Sequence, residues 1–539
     1  MTRSLVDLVA RQASERPGFT AIIDANEVVT YQALDERSSR LGSLLREFGV
    51  SRGSRVCLLL PKSADAVVAI LGVLKTGACY VPLDPDSPAS RIQRMVDSCD
   101  DRWLLADEST VELAEQLVNG SAQPVRSPPW TVGVLGEGRP RLTHGASFDW
   151  SDVEEMTVAA LSSGESPVEG SDLAYVMFTS GSTGEPKGVP ITHSNVISFL
   201  DWAIDYFGLR PGERVSSHSP LHFDLSVFDL FGSLAAGCEL HLVPKKLNIL
   251  PPALADFMRS RALNQWFSVP SVLNLMMRAD CVAHGDFPEL RRLIWCGEVL
   301  PTPTLIYFME RLPHVRFTNL YGPTEATIAS SYYSPATPPL DPLQDVPIGR
   351  PCDGEDIVVL DEASRPLPVG EIGEIHISGA GLSPGYWRDP EKTERSFVQV
   401  DLPTKGRVRV YRTGDVGWRD EDGLIHFVGR SDSQIKSRGY RIELGEIEAA
   451  LHSLDILDDA AVVAVSTGGF EGWTICCAYV PAEESQIAPA TVRRRLREEL
   501  PHYMIPKHWS IHRVLPTNAN GKVDRPELRK RFTELLGVV

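Results

Sequence analysis

Paired cysteines, long apolar runs and an excess of positive charge are all scarce in this sequence, and each scarcity excludes something. The nine cysteines stand at 57, 79, 99, 238, 281, 296, 352, 476 and 477, and no two are spaced as a CxxC pair. That argues against a zinc cluster or a dithiol redox motif and for buried, reduced thiols in a cytoplasmic protein. The most apolar run, 66–74, is too short to span a bilayer. The opening MTRSLVDLVARQASERPG reads as an amphipathic helix without a signal-type apolar core, so no membrane partner is expected. With 53 basic against 71 acidic residues the net charge is −18, which speaks against nucleic acid as a partner. The charge is uneven: from Ser431 onward there are 14 basic and 15 acidic residues, so nearly all the negative excess precedes that point.

What is present is a rhythm of layers. Strand-like runs such as 55–60 and 173–179 alternate with helical patterns such as 63–75 and 193–206, the mark of an α/β fold with largely parallel sheets. Residues 119–148 are rich in Pro, Gly and Ser and read as a loop or insertion. After Gly429-Arg430 the pattern changes. A helix over 442–454, strands over 459–466 and 474–480, and a capped helix over 491–500 predict a compact α+β unit. At 539 residues the chain has room for two or three domains, here drawn as 1–430 and 431–539.

The stretch YVMFTSGSTGEPKG, 175–188, carries the first chemical signal. An apolar strand running into glycines and hydroxyls suits a phosphate, because the backbone can approach closely and its N–H groups can donate. A Walker loop does not fit. Only two residues separate Gly184 from Lys187, and Gly188 stands where that loop needs a hydroxyl.

TSGSTGEPKG resembles the phosphate loop of the adenylate-forming enzymes, which include nonribosomal peptide synthetase adenylation domains, acyl-CoA synthetases and luciferases. Further motifs resembling that family follow in order: LKTGACYVPLDP (74–85), NLYGPTE (319–325), YRTGD (411–415), GRSDSQIKSRGYRIE (429–443) and NGKVDR (520–525). The resemblance implies a large N-terminal adenylate-forming core with layered sheets and helices, followed by a small mobile α+β domain. It implies attack of a carboxylate on ATP, with Mg²⁺, to give an acyl adenylate and pyrophosphate. In such transfers catalysis is mostly positioning and electrostatics.

The same resemblance assigns roles. Thr179, Ser180, Gly181, Ser182, Thr183 and Gly184 would cradle the phosphates, and Lys187 would anchor the loop or pair with an acid. Asn319, Tyr321 and Gly322, with Gly297 and Glu298, would border the adenine. Thr324 would meet the α-phosphate and Glu325 would hold Mg²⁺. Asp415 would bind the ribose with Arg430 in support, its competing reading being a turn-forming acid after Gly414. Lys522 would be the catalytic cation bridging substrate carboxylate and α-phosphate, where a lysine beside Asn-Gly is otherwise a solvated charge. Asp432 would be a hinge between two half-reactions, bringing 436–441 to the active site for thioester formation.

The segment HFDLSVFDLF, 222–231, bears on the acid that is activated. Asp224 falls where amino-acid-activating members set a carboxylate against the substrate ammonium; as an alternative it could cap a helix. By the same resemblance the pocket is lined by Asp224, Leu225, Phe228, Ser268, Ile294, Cys296, Leu320, Ile328 and Ala329. With one charge and several bulky walls it favours a small neutral amino acid, alanine first. No carrier-type Gly-Gly-x-Ser site and no His-His-x-x-x-Asp condensation motif occur, so the expected partner is a separate carrier protein bearing phosphopantetheine. Two other classes stay open: an acyl-CoA synthetase acting on an acid without an amine, and a catalytically inactive protein on the same fold.

Overall fold

A computed structural model describes residues 3–25, 27–120, 129–157, 168–181, 184–403, 405–467, 472–482, 487–518 and 522–537. The chain divides into two compact units. The first comprises 1–85, 99–177 and 188–431, the second 86–98, 178–187 and 432–539.

Two mainly parallel sheets and one antiparallel sheet build the first unit. The nine-stranded sheet runs, in spatial order, Arg350–Pro351, Ser331–Tyr333, Arg316–Tyr321, Arg292–Cys296, Gln265–Ser268, Arg214–Ser217, Glu239–Leu242, Thr20–Ile23 and Val28–Thr30. Its six central strands are parallel, and the connections between them return through helices such as Pro270–Arg278 and Thr302–Arg311. The central strands are buried along nearly their whole length, which is why they read as apolar runs rather than as alternating patterns. The seven-stranded sheet places Leu173–Thr179 between Cys79–Pro82 and Lys187–Thr192, with Arg55–Leu59 on the far side of Cys79–Pro82. Five antiparallel strands between Glu355 and Arg430 complete the unit.

Local chemistry explains several boundaries. The first helix, Leu5–Glu15, is opened by a capping box between Ser4 and Asp7. Ser63 caps Ala64–Lys75 by accepting from the Ala66 N–H, so it stands just outside the helix expected to include it. The expected loop over 119–148 is corrected: Thr131–Val134 and Ala146–Phe148 are parallel strands of the seven-stranded sheet. Gly133, which looked like a loop residue, sits inside the first because the Phe148 ring fills the space where a Cβ would be, at 2.2 Å.

In the second unit Leu457–Ser466, Trp473–Pro481 and His508–Ile511 form a three-stranded sheet, and Gln434–Ser437 pairs with Tyr440–Glu443 as a hairpin. The helix expected from 442 begins instead at Leu444 and ends at His452, because Ile442 and Glu443 finish that hairpin. The later helix is Pro489–Leu496, started by a proline at its first position rather than by a capping hydroxyl. Eight of the nine cysteines are buried and Cys281 is partly so, all as free thiols. Among the described residues no helix is long and apolar enough to cross a membrane.

Candidate active site

The strand Arg316–Tyr321 delivers the NLYGPTE residues to one edge of the first unit. At its end Gly322 has no substitute: a Cβ would lie 2.6 Å from the Ala329 Cα and 2.8 Å from the Ser330 nitrogen, both backbone atoms. Tyr321 is buried and its hydroxyl donates to Asp415 at 2.6 Å, while the Arg430 guanidinium donates to the other carboxylate oxygen. Burial, then the neighbouring Asp415 charge, pushes the Tyr321 hydroxyl well above its ordinary range. Asp415 lies within the strand Gly406–Arg419, directly opposite Arg430, so it is not a turn residue. Tyr321, Asp415 and Arg430 thus form one connected polar group, in which Tyr321 and Asp415 are buried and Arg430 is partly so.

The other nucleotide-side candidates each have local contacts of their own. Asn319 donates its side-chain amide to the Pro347 carbonyl at 2.8 Å. Gly297 takes φ 97° just past the strand Arg292–Cys296, and the Glu298 carboxylate accepts from the Ser271 N–H at 3.0 Å. Thr324 and Glu325 share the short 3₁₀ turn Thr324–Ala326. Glu325 is fully buried, and the Tyr386 hydroxyl donates to it at 2.7 Å. Tyr386 carried no sequence signal. Its partner lies 61 residues away.

No group of three or more His, Cys, Asp or Glu side chains suited to a metal converges among the described residues. Mg²⁺ does not need such a cage, since it keeps several waters and commonly takes one or two carboxylates plus substrate phosphates. Glu325, an acid on a turn beside a hydroxyl-bearing Thr324, fits that pattern.

The amino-acid side is apolar. Ile294 and Cys296 share one face of their strand, and Cys296 lies opposite Leu320 in the parallel register. Leu225, Phe228, Ile328 and Ala329 belong to the same buried core, where Phe228 meets Phe199 and Phe267 edge-on at 5.4 and 5.6 Å. Ser268 stands apart, since its hydroxyl accepts the Trp266 indole N–H at 2.9 Å and Trp266 packs in a second core. Asp224 precedes the turn Leu225–Val227 but makes no side-chain capping bond, which removes the helix-cap reading. It is only 7% exposed. Its charge also reaches Tyr175, whose hydroxyl is pushed well up, first by burial and then by Asp224.

Beneath this segment is a pair that local sequence patterns did not reveal. The Lys62 ammonium donates to the carbonyls of Ser217 and His218 at 2.5 and 2.8 Å, gathering the end of the strand Arg214–Ser217. Its electrostatic partner is Asp229, fully buried in the π-helical turn Phe228–Gly232. Burial raises the Asp229 carboxyl well above the carboxylate range and lowers Lys62 to about 8, each shift opposed by the other's charge.

The second unit holds the remaining candidates. In the candidate phosphate loop, Gly181 tolerates no side chain, because a Cβ would meet the Glu185 carbonyl oxygen at 2.0 Å. Its N–H donates to Glu446 at 3.3 Å, Glu446 pairs with Arg91, and the Ser180 hydroxyl donates to the Arg441 carbonyl at 2.7 Å. Thr179 ends its strand with a buried hydroxyl that has no hydrogen-bond partner among the described residues, and Gly184 takes φ 88°. Ser182 and Thr183 lie outside the described residues. Lys187 forms a buried ion pair with Glu443 at 3.3 Å, the acid-pairing alternative the sequence left open. Asp432 is the first residue of this unit's long segment and accepts from the Gln434 N–H at 3.1 Å. Lys522 is exposed, and its backbone makes two bonds with Asn518, at 2.8 and 3.1 Å.

Comparison with known proteins now decides the family. Residues 9–387 match the model for AMP-binding enzymes, and 446–522 match the model for the AMP-binding enzyme C-terminal domain. The chain belongs to the AMP-binding enzymes. This enzyme is 33% identical to an L-proline–[L-prolyl-carrier protein] ligase of Pseudomonas fluorescens, with 96% of each chain covered. It is 32% identical to a D-alanine–D-alanyl carrier protein ligase of Bacillus cytotoxicus, over 98% of its own length and 99% of the relative's. Tyrocidine synthase 3 of Brevibacillus parabrevis is 34% identical over 98% of the enzyme, which spans only 8% of that longer protein. Among solved structures, the Vibrio cholerae adenylation domain AlmE, in complex with glycyl-adenosine-5'-phosphate, superposes with a TM-score of 0.83. Its identity is 26%, and 98% of each chain is covered.

Proposed function

We propose that this enzyme activates a small neutral amino acid, alanine first, as its aminoacyl adenylate and transfers it to the phosphopantetheine thiol of a separate carrier protein. The observation that carries the reading is Asp224: a buried carboxylate without a capping role, on the segment that also carries Leu225 and Phe228. An α-ammonium set against that carboxylate would be recognised by its charge, and an amino acid brings one. Relatives that load proline and D-alanine onto carriers, both small and neutral, support the substrate class.

In this scheme Asp224 fixes the amine, and the apolar walls exclude water and larger side chains. Asp415 and Arg430 take the ribose, with Tyr321 beside the adenine. Thr324 and the loop over 179–184 hold phosphate oxygens, and Glu325 would hold Mg²⁺, which supplies charge neutralisation at the phosphates when bound. Lys522 carries the charge that draws carboxylate and α-phosphate together. Residues 1–430 act as the core and 431–539 as a mobile domain turning about Asp432.

Pyrophosphate release measured across a panel of acids, with and without coenzyme A, tests the reading. Release is expected with small neutral amino acids and without any need for coenzyme A. Release with acids lacking an amine, followed by thioester formation on coenzyme A, would replace it by an acyl-CoA synthetase. A further result is expected from Asp432→Pro, which fixes φ at the hinge. Adenylate formation should be largely kept and carrier loading lost in single-turnover assays, and normal loading would put the hinge elsewhere.

A further inference from the structure

Two consecutive β-branched residues, Thr327 and Ile328, hold positive φ values of 56° and 69°. That region is sparsely populated for such side chains, and glycine would enter it without strain. The Ala329 N–H donates to the Thr327 carbonyl at 2.8 Å, closing a γ-turn over Ile328 of the strained, positive-φ kind. A strained backbone persists only where its surroundings over-determine it, and such places cluster at functional sites.

The surroundings here are specific. The Thr327 hydroxyl donates to the Gly381 carbonyl at 2.6 Å. The Gly381 N–H in turn donates to the Glu355 carboxylate at 2.7 Å, so one residue of the loop after the strand Gly373–Gly379 is held through both its N–H and its C=O. Below the turn, Gly322 leaves no space under Ala329, and the Ser330 N–H is tied to the Tyr321 carbonyl at 2.7 Å. The Cys296 thiol approaches the Ile328 carbonyl at 3.9 Å. What these contacts hold in place is the backbone of Ile328 and Ala329, both buried.

We propose that Thr327, backed by Gly381 and Glu355, is a positioning residue that clamps the strained turn so that Ile328 and Ala329 set the size of the amino-acid pocket. This inference rests on the reading in which Ile328 and Ala329 line that pocket. A hydroxyl that merely stabilised a surface turn would act on the whole protein alike; a clamp acts on one substrate.

The test uses the full-length enzyme and pyrophosphate release, with KM and kcat measured separately for ATP and for neutral amino acids of increasing size, and melting curves alongside. Losing one hydrogen bond to a buried carbonyl corresponds to a change on the order of tenfold. T327V is therefore expected to raise KM for the preferred amino acid by about that factor and to narrow its preference over a larger one, with KM for ATP and kcat changing less than about twofold. T327S keeps the hydroxyl and should behave as native. E355L, which takes away the acceptor behind Gly381, should shift selectivity in the same direction as T327V and serves if T327V folds poorly. A329L separates the two levels of the argument. If A329L alters selectivity while T327V and E355L leave it native, the clamp is overturned alone. If A329L changes nothing, the pocket reading falls and takes the clamp with it.

Discussion

Replacing Lys522 by alanine is expected to lower adenylate formation by roughly 10²- to 10³-fold or more, the scale on which removal of a focused transition-state charge is felt. The adenylation step brings a carboxylate against a triphosphate, so its barrier is largely repulsion between anions, and a cation between them acts on the transition state more than on either bound reactant. The loop that carries Lys522 is well suited to present one. The Lys522 backbone makes two bonds with Asn518, a bridge joins Thr517 to Val523, and none of these uses the ammonium. Asp524 caps the following helix, Arg525–Leu536, by accepting from the Glu527 N–H. Since the side chain is exposed, its loss should leave the fold intact, and melting curves for K522A should overlay those of the native enzyme. Transfer from supplied aminoacyl adenylate to the carrier should fall far less than adenylate formation. Equal losses in both steps would assign Lys522 a role in domain structure instead. A K522R variant should recover little, because the guanidinium fork is a wider, differently hydrated charge than an ammonium.

The second large effect concerns Asp224. With the α-ammonium read by Asp224, the desamino analogue of the true substrate forgoes that charge interaction and should be a much poorer substrate for the native enzyme. Asp224→Val should lose activity with the amino acid and discriminate less against the analogue. With enzyme and substrate each changed once, the four kcat/KM values form a cycle whose coupling energy isolates the contact. A large coupling energy means that Asp224 reads the amine. A value near zero means it does not, and activation of simple carboxylic acids becomes the better account.

Much of this arrangement was legible along the chain. The strand Leu173–Thr179 ends where the run of glycines and hydroxyls begins, and the long segment of the second unit starts at Asp432, just after the change of pattern at Arg430. Periodicity and turn chemistry are local, so they survive in a single sequence. Other features fail that condition. The strands Thr131–Val134 and Ala146–Phe148 were hidden by the Pro, Gly and Ser around them, and the reason for Gly133 is a ring fifteen positions away. Lys62 and Asp229, Glu325 and Tyr386, and Thr327 and Gly381 are partners over long chain separations. No window contains both members. Segments 86–98 and 178–187 count with the second unit for the same reason, through contacts such as Arg91 with Glu446.

The scattered thiols have a use that their chemistry alone does not suggest. Cys57, Cys79, Cys99, Cys238, Cys296 and Cys352 are distributed through the first unit, and Cys476 and Cys477 lie side by side in the middle strand of the second unit's sheet. Burial raises Cys79 and Cys238 to about 12, so in the native fold they are neither accessible nor ionised enough to react. Each becomes an ordinary thiol only when its own surroundings open. The protein therefore carries natural reporters in both units, and alkylation followed residue by residue would register whether the small unit opens before the large one without a label being added.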